Sequence, residues 1–524
     1  MPERVGSAGL LLAFVVLTSC TPTSPRASSA SSPPLVAHPP AGPVVAATVR
    51  ISTIARENDR PGTTSWRLDA GRPGTIEGFA FAASVAAGSP ITFAVRSRAP
   101  YSGRVYRLGW YHGMGGRLVA TLPQMRAQPQ PDCPIGPPPR HMVVCSWRPA
   151  FSISTAPSWV SGAYLVKLAS ADGSQAYVPF VVRERIARAP VVVQLSVTTW
   201  QAYNSWGGTS LYARVGAGPR HAGAQRARAV SFERPYVWPG SGQLFDFEYP
   251  LIFWLESHGI DAAYATDIDL DLGTAGLPAR RVFIAAGHDE YYSTAMRRAL
   301  EAARARGTDL VFLGANDVFR HIRLEDGDGV EVNYKYASED PLRRSSPLQT
   351  TGSWRDPPLN QPEQSLLGEQ SVECPRRILP WAPTGRPTWL FAGTGLGPGA
   401  IIPSLVGYEY DGIFPIDVVP SHLIVVARTY TGCAANFAGG RGDLAETTLY
   451  AASSGALVFD AGSVWFDCAL GPGCDDPWLR MPRDPAVRFH PRIRPDPRVQ
   501  RLILNLLGRM LAPAPRARTS LEQM

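Results

Sequence analysis

The sequence predicts a multidomain fold. An N-terminal antiparallel β-sandwich spans residues 66–185, and an α/β domain with a mainly parallel sheet spans residues 186–512. Three observations lead there. Short Val-, Tyr- and Phe-rich runs separated by Gly/Pro turns fill the first region. Beyond it, continuous apolar runs alternate with helical patterns. Polar clusters then recur where those apolar runs end. With 524 residues, 45% of them hydrophobic, the chain is long enough for two or three sizeable cores.

The N-terminus precedes this globular part. Arg4, the apolar stretch GLLLAFVVL (9–17) and LTSC ending at Cys20 form a signal segment over residues 1–20, too short to span a bilayer. The small residues before Cys20 resemble the lipobox of bacterial lipoproteins. The expectation is therefore a lipid anchor at Cys20 on the extracytoplasmic face of the cell membrane, or secretion if Cys20 is not lipidated. Residues 21–65 begin as a Pro/Ser/Ala tether that lacks the apolar surface to fold, and residues 513–524 read as a disordered tail. Six further cysteines suit an oxidising compartment. Sequence proximity pairs Cys133 with Cys145 and Cys468 with Cys474, which leaves Cys374 with Cys433. The formal charge of +8 is almost all arginine, scattered among acids, with Lys167 and Lys335 the only lysines. That distribution, and the absence of any nucleic-acid-binding motif, argues against a nucleic-acid partner.

In the first domain ITFAVRS, GRVYRLGWY, GRLVATL, GAYLVKLAS and QAYVPFVVR are strand-like, and several alternate apolar and polar residues. Such a β-sandwich usually supports or binds. In the second, VVVQLSV (191–197) is a buried strand and YPLIFWLESHG (249–259) a helix stopped by Gly259. DAAYATDIDL is a strand, RRVFIAA (280–286) a buried strand, STAMRRALEAARARG (293–307) a helix and DLVFLGA (309–315) the next strand. This βαβ succession predicts a sheet of the flavodoxin-like, class I glutamine amidotransferase-like kind, covered on both faces. Ligands of such sheets collect beyond the carboxyl ends of the strands.

Three polar clusters occupy those ends: TTWQAYNSWGG, GHDEYY (287–292) and GANDVFR. Each has a plain structural explanation. GHDEYY reads equally as a loop before a helix capped by Ser293, and Asn316 and Asp317 as caps of a following helix. Three clusters at one edge are stronger than any one. No GxSxG elbow, HExxH pair or Walker loop occurs, no cysteine lies at these ends, and the nine histidines show no metal-ligand spacing. The edge offers phenols and carboxylates, oxygen donors suited to hard cations; phenolate also ligates ferric iron.

VTTWQAYNSWGGTSLY, AAGHDEYYS, FLGANDVFRHIR, TGSWRD (351–356), LVGYEYD (405–411) and VFDAGSVWF (458–466) resemble, in the same order, segments of the N,N-dimethylformamidase large (beta) subunit-like family. The upstream GRVYRLGWYHGMGGR (103–117) resembles the family's β-domain, so the resemblance covers roughly residues 66–510. It implies a mononuclear ferric ion, Fe(III), held by two tyrosines and a glutamate, with a histidine beside it. On these motifs Glu290 is the carboxylate ligand, His288 the neighbouring acid/base and Tyr203 the first phenolate. The second phenolate is Tyr212, with Tyr236 the alternative, and Asn316 is a substrate-orienting amide. The activity implied is hydrolysis of an amide C–N bond in a small-molecule or cell-envelope substrate. The competing expectation is a surface protein that binds a glycan or small ligand in the same cleft without turnover. A third is a metal-free hydrolase using His288 and Asp289. Substrate, oligomeric state (homo-oligomer or monomer) and native metal stay open.

Overall fold

The computed structural model describes residues 52–69, 74–212, 226–373, 378–407, 409–416, 418–432, 443–476 and 492–513. The signal segment with Cys20, most of the tether, Cys374 and Cys433 lie outside the described residues. Cys133–Cys145 and Cys468–Cys474 are disulfide-bonded. Among the described residues no helix is long and apolar enough to cross a membrane.

Strands dominate, sheets are mixed and helices are few. In the N-terminal region a five-stranded sheet runs in the order Ser84–Ala86, Gln175–Arg183, Gly162–Ser170, Tyr101–Leu108, Gly116–Thr121. A three-stranded sheet has the order Glu77–Ala80, Pro90–Arg96, Pro149–Ser154. Both feed one apolar cluster: Phe93, Val95 and Ile153 from the smaller sheet meet Val105, Tyr164, Val166 and Phe180 from the larger. The expected antiparallel pairing holds with one exception, since Ser84–Ala86 runs parallel to Gln175–Arg183.

The second region is built on a seven-stranded sheet ordered Ala262–Thr266, Val191–Leu195, Val282–Ala285, Asp309–Phe312, Leu457–Asp460, Leu444–Ala451, Ile424–Tyr430. The first five strands are parallel, and the last two extend the sheet antiparallel. Successive side chains on a strand point to opposite faces. Val191, Val193 and Leu195 therefore join one core cluster while Val192 joins another. The first face is covered by helices Tyr249–Ser257 and Pro497–Leu511. The latter buries Val499, Leu502, Ile503, Leu506, Leu507 and Met510, one stripe at helical spacing. The second face is covered by Thr294–Ala305, through Met296, Leu300 and Ala303. Covering both faces is what makes the central strands apolar throughout.

Three local expectations change. DAAYATDIDL is a strand only over Ala262–Thr266, after which Thr266 caps a short helix, Asp267–Asp271. The polar run after Leu195 is not an extended strand end: Val197–Tyr203 is a short helix with all seven residues buried. Asn316 and Asp317 cap no helix, because strand Arg320–Glu325 follows them in a second, five-stranded mixed sheet. Ser293 does cap its helix, accepting from the Met296 amide at 3.1 Å.

A fully buried ion pair ties the two regions together. Arg107, on a strand of the N-terminal sheet, donates from Nη2 and Nη1 to the two oxygens of Glu256 at 2.7 and 2.9 Å. Asn58 and Tyr264 donate to the same carboxylate at 2.8 and 3.0 Å. Both charged side chains have no exposed surface. Removing one partner of such a pair leaves the other charge uncompensated. Glu256→Ala is therefore expected to cost about 3–5 kcal/mol of stability, read as a lower urea midpoint of unfolding, with Glu256→Gln costing less.

Candidate functional site

The strand ends converge because two glycines let them. Gly287 has φ +65°, and a Cβ there would lie 2.4 Å from the Phe247 Cβ. A Cβ on Gly314, at the end of the adjacent strand, would lie 1.6 Å from the Gly287 carbonyl oxygen. Neither position admits a side chain, so His288, Asp289 and Glu290 turn inward beside the Asn316 loop.

The helix Val197–Tyr203 is pinned from the same edge. The Thr198 backbone N–H and hydroxyl donate to Asp267 at 2.8 and 2.6 Å. The Glu290 amide donates to the Thr199 hydroxyl at 3.0 Å. Four residues on, on the same helix face, Tyr203 Oη donates to Glu290 Oε2 at 2.8 Å. The chain then folds back, the Leu211 amide donating to the Ala202 carbonyl at 3.0 Å. Tyr212 Oη thereby donates to the same Glu290 Oε2 at 2.5 Å, its ring stacked on that of Tyr203 with centroids 4.2 Å apart. Buried Arg234 holds this loop by donating to the carbonyls of Gln201, Asn204, Trp206 and Thr209.

One carboxylate oxygen thus collects two phenols. The other, Oε1, faces Arg320 Nε at 3.2 Å. His288 Nε2 stands 3.8 Å from Glu290 Oε2 and 2.9 Å from Glu409 Oε2, off the line of a hydrogen bond, and both His288 ring nitrogens are buried without a hydrogen-bond partner. The imidazole is walled by Tyr203 and by Phe247, which stacks on Trp465. Phe247 lies on the π-helical turn Leu244–Glu248, a geometry frequent at functional sites.

Burial drives both phenols well above their usual pKa of 10, and the Glu290 charge adds to the effect. Burial alone would raise Glu290, but Lys335, Arg320 and His288 outweigh it and hold the carboxyl below its usual value. For His288, burial opposes protonation; Glu409, Glu290 and Asp289 outweigh it and raise the pKa above 6.5. The arrangement is an ionised carboxylate ringed by neutral phenols and cations.

The structure brings Tyr203, Tyr212, Glu290 and His288 together. Tyr236 is not among them: its ring packs edge-on against Trp200. Asn316, at φ +63°, donates its backbone N–H to the Asp411 carboxylate at 2.9 Å, and its side-chain oxygen is buried without a partner. Asp289 accepts from Gln194 and Tyr292, each at 2.5 Å, so it braces the strand end while His288 faces Glu409. Sequence reading passed over Glu409, Arg320, Lys335 and Arg234. Glu409 stands inside LVGYEYD, a segment already singled out, and Lys335 is one of two lysines in an arginine-rich chain; those were the available signals. Among the described residues no group of three or more His, Cys, Asp or Glu is arranged to hold a metal. A cation bound here would therefore depend on the phenols. Two phenol oxygens and a carboxylate oxygen meeting at one point are a hard-donor set that fits a ferric ion.

Oxygen-rich side chains gathered beyond the carboxyl ends of parallel strands give this mostly β, mixed-sheet protein a buried acid–phenol site. The chain belongs to the N,N-dimethylformamidase beta subunit-like, C-terminal family, whose model matches residues 102–476. At the level of the family it is dimethylformamidase-like, and the match takes in part of the N-terminal sheets as well as the strand-end site. No curated protein matches the chain significantly. Among solved structures it is similar to a Paenibacillus sp. cycloisomaltooligosaccharide glucanotransferase complexed with cycloisomaltoheptaose, at 9% identity and a TM-score of 0.16. That match covers 47% of this chain and 45% of the other, less than half its length, and carries no argument about fold or activity.

Buried carboxyls behind the site yield a pH signature. Burial pushes Asp289 up to about 6 and Asp411 up to about 7. A carboxyl raised on folding keeps a proton that the unfolded chain releases at about pH 4. Its contribution to stability is complete below that pH and is lost as pH rises toward 7. Urea midpoints measured from pH 4 to 7 are expected to fall less steeply in Asp411→Asn than in the wild type.

Proposed function

We propose that this chain is an exported, metal-dependent hydrolase of an amide C–N bond, resembling N,N-dimethylformamidase, with a mononuclear ferric ion held by Tyr203, Tyr212 and Glu290. The observation that supports it most is the meeting of both phenols on one oxygen of Glu290. Two phenolates and a carboxylate would balance the three positive charges of the ion. When bound, a ferric ion would supply Lewis acidity to an amide carbonyl.

The chain's own residues do the rest. Arg320 holds the second oxygen of the Glu290 carboxylate, donating from Nε at 3.2 Å. His288 is the acid/base, carrying a proton to the leaving amine, and Glu409 at 2.9 Å stabilises its charged form. Phe247 and Trp465 keep water from its other side. Asn316, with its unpartnered side-chain oxygen, orients the substrate amide. A surface location points to a cell-envelope or environmental amide. In this reading the two N-terminal sheets form a supporting β-sandwich, and the seven-stranded sheet is flavodoxin-like, of the class I glutamine amidotransferase-like kind. Residues 1–20 are a signal segment ending at a lipidated Cys20 and the Pro/Ala/Ser run 21–48 is a tether, whereas helix Thr53–Asn58 already packs into the folded part; residues 513–524 are a tail.

One observation favours a second reading, a surface binding protein for a glycan or small ligand. Arg320 and Lys335 offset the Glu290 charge without any metal. Two variants separate the readings. Glu290→Ala is expected to lose iron and turnover of a panel of small amides while keeping its far-UV circular dichroism. Glu409→Gln should retain iron but slow turnover by about 10²–10⁴-fold. Wild-type turnover that survives Glu290→Ala or exhaustive chelation would overturn the proposal.

A further inference from the structure

Lys335 is buried, in a chain with only one other lysine, and its backbone is left-handed at φ +65°. A non-glycine residue adopts that conformation only where its surroundings enforce it. Here they do. The Asn333 side-chain oxygen accepts from the Lys335 amide at 2.7 Å, the Asn333 side-chain amide donates to the His321 carbonyl at 2.9 Å, and the Tyr334 amide donates to the Thr351 hydroxyl at 2.8 Å.

The result of this bracing is the aim of the side chain. Lys335 Nζ donates to Tyr291 Oη. Tyr291 Oη donates to Tyr212 Oη at 2.8 Å, and Tyr212 Oη to Glu290 Oε2 at 2.5 Å. The ammonium also lies 3.6 Å from the centroid of the Tyr212 ring and 4.8 Å from that of Tyr291. One cation thus acts on Tyr212 twice, through a relay of hydroxyls and directly over its ring face. Tyr203 receives neither contact; its neighbours are Glu290, Glu409, Tyr212 and His288.

We infer that Lys335, acting through Tyr291, is the positioning residue of the second phenolate. It holds the Tyr212 oxygen on Glu290 and offsets the negative charge that oxygen carries as a ligand. This rests on the ferric reading above and goes beyond it, because it makes the two phenols unequal: Tyr212 is a charge-compensated donor and Tyr203 is not. Lys335 works as a fixed charge at a fixed place. Partners that orient ligands in this way typically contribute tenfold to a hundredfold in metal affinity.

The test uses the full chain, loaded from ferric nitrilotriacetate, with two variants. Lys335→Met removes the charge; Tyr291→Phe removes one oxygen and breaks the relay with minimal change in volume. Both are expected to bind iron about tenfold more weakly than the wild type. Both should also move the phenolate-to-iron absorption band to longer wavelength, because a less stabilised donor orbital lies closer to the metal. Lys335→Arg should restore part of the band position, which a purely structural role would not require. Should Lys335→Met lose its native circular dichroism, Tyr291→Phe carries the test alone. Wild-type band position and affinity in the folded variants would overturn the inference while leaving the ferric site intact. A wild-type chain that takes up no iron would instead overturn the ferric reading, and this inference with it.

Discussion

Everything around the strand ends answers to one constraint: an ionised carboxylate, Glu290, is 1% exposed. Withdrawing such a charge from water costs several kcal/mol unless donors and counter-charges replace the solvent. The fold supplies them from four separate stretches. Tyr203 comes from a buried helix, Tyr212 from the loop that returns from it, Arg320 from the next mixed sheet and Lys335 from a strained turn beyond that. Gly287 and Gly314 permit the close approach of two parallel strand ends, and Arg234 gathers the carbonyls that hold the Tyr203–Tyr212 loop in place.

Charge balance explains why so many polar groups are tolerated there. The phenols, raised by burial, stay neutral and donate. Behind them Asp289 is engaged by Gln194 and Tyr292, and Asp317 accepts from the Asp289 amide at 3.0 Å. Burial raises both acids, whereas nearby cations hold Glu290 below its usual value, so Glu290 is the carboxylate most firmly kept as an anion. The division is useful chemically. A cation replacing the two phenol protons would find three oxygens already in place, and His288 and Glu409 would stand beside it as a proton-handling pair.

Much of this was legible in the sequence. The strands Val191–Leu195, Val282–Ala285 and Asp309–Phe312 and the helix Thr294–Ala305 follow directly from continuous apolar runs and helical spacing. The grouping of Tyr203, Tyr212, Glu290 and His288 followed from order-preserving motifs. The helical state of Val197–Tyr203 did not, because a helix buried on all sides has no polar face to give its period away. The predominance of strands after Phe312 was also hidden: short mixed pairings such as Arg320–Glu325 with Val330–Val332 depend on distant partners rather than on local pattern. Glu409 and Lys335 reach the site over 119 and 45 residues of chain from Glu290, distances no spacing rule bridges. Tyr236 was the second choice to Tyr212 on the order of the motifs, and the structure puts Tyr212 on Glu290 while the Tyr236 ring packs against Trp200.

The claim at the centre is that the two phenols and Glu290 form a ferric site, and visible absorption with iron content of the purified chain tests it most directly. A ferric site predicts one iron per chain and a phenolate-to-iron band in the visible, both lost or strongly reduced in Tyr203→Phe. A chain that stays colourless and free of iron after reconstitution with a ferric salt, or one whose band is unchanged by Tyr203→Phe, would contradict it.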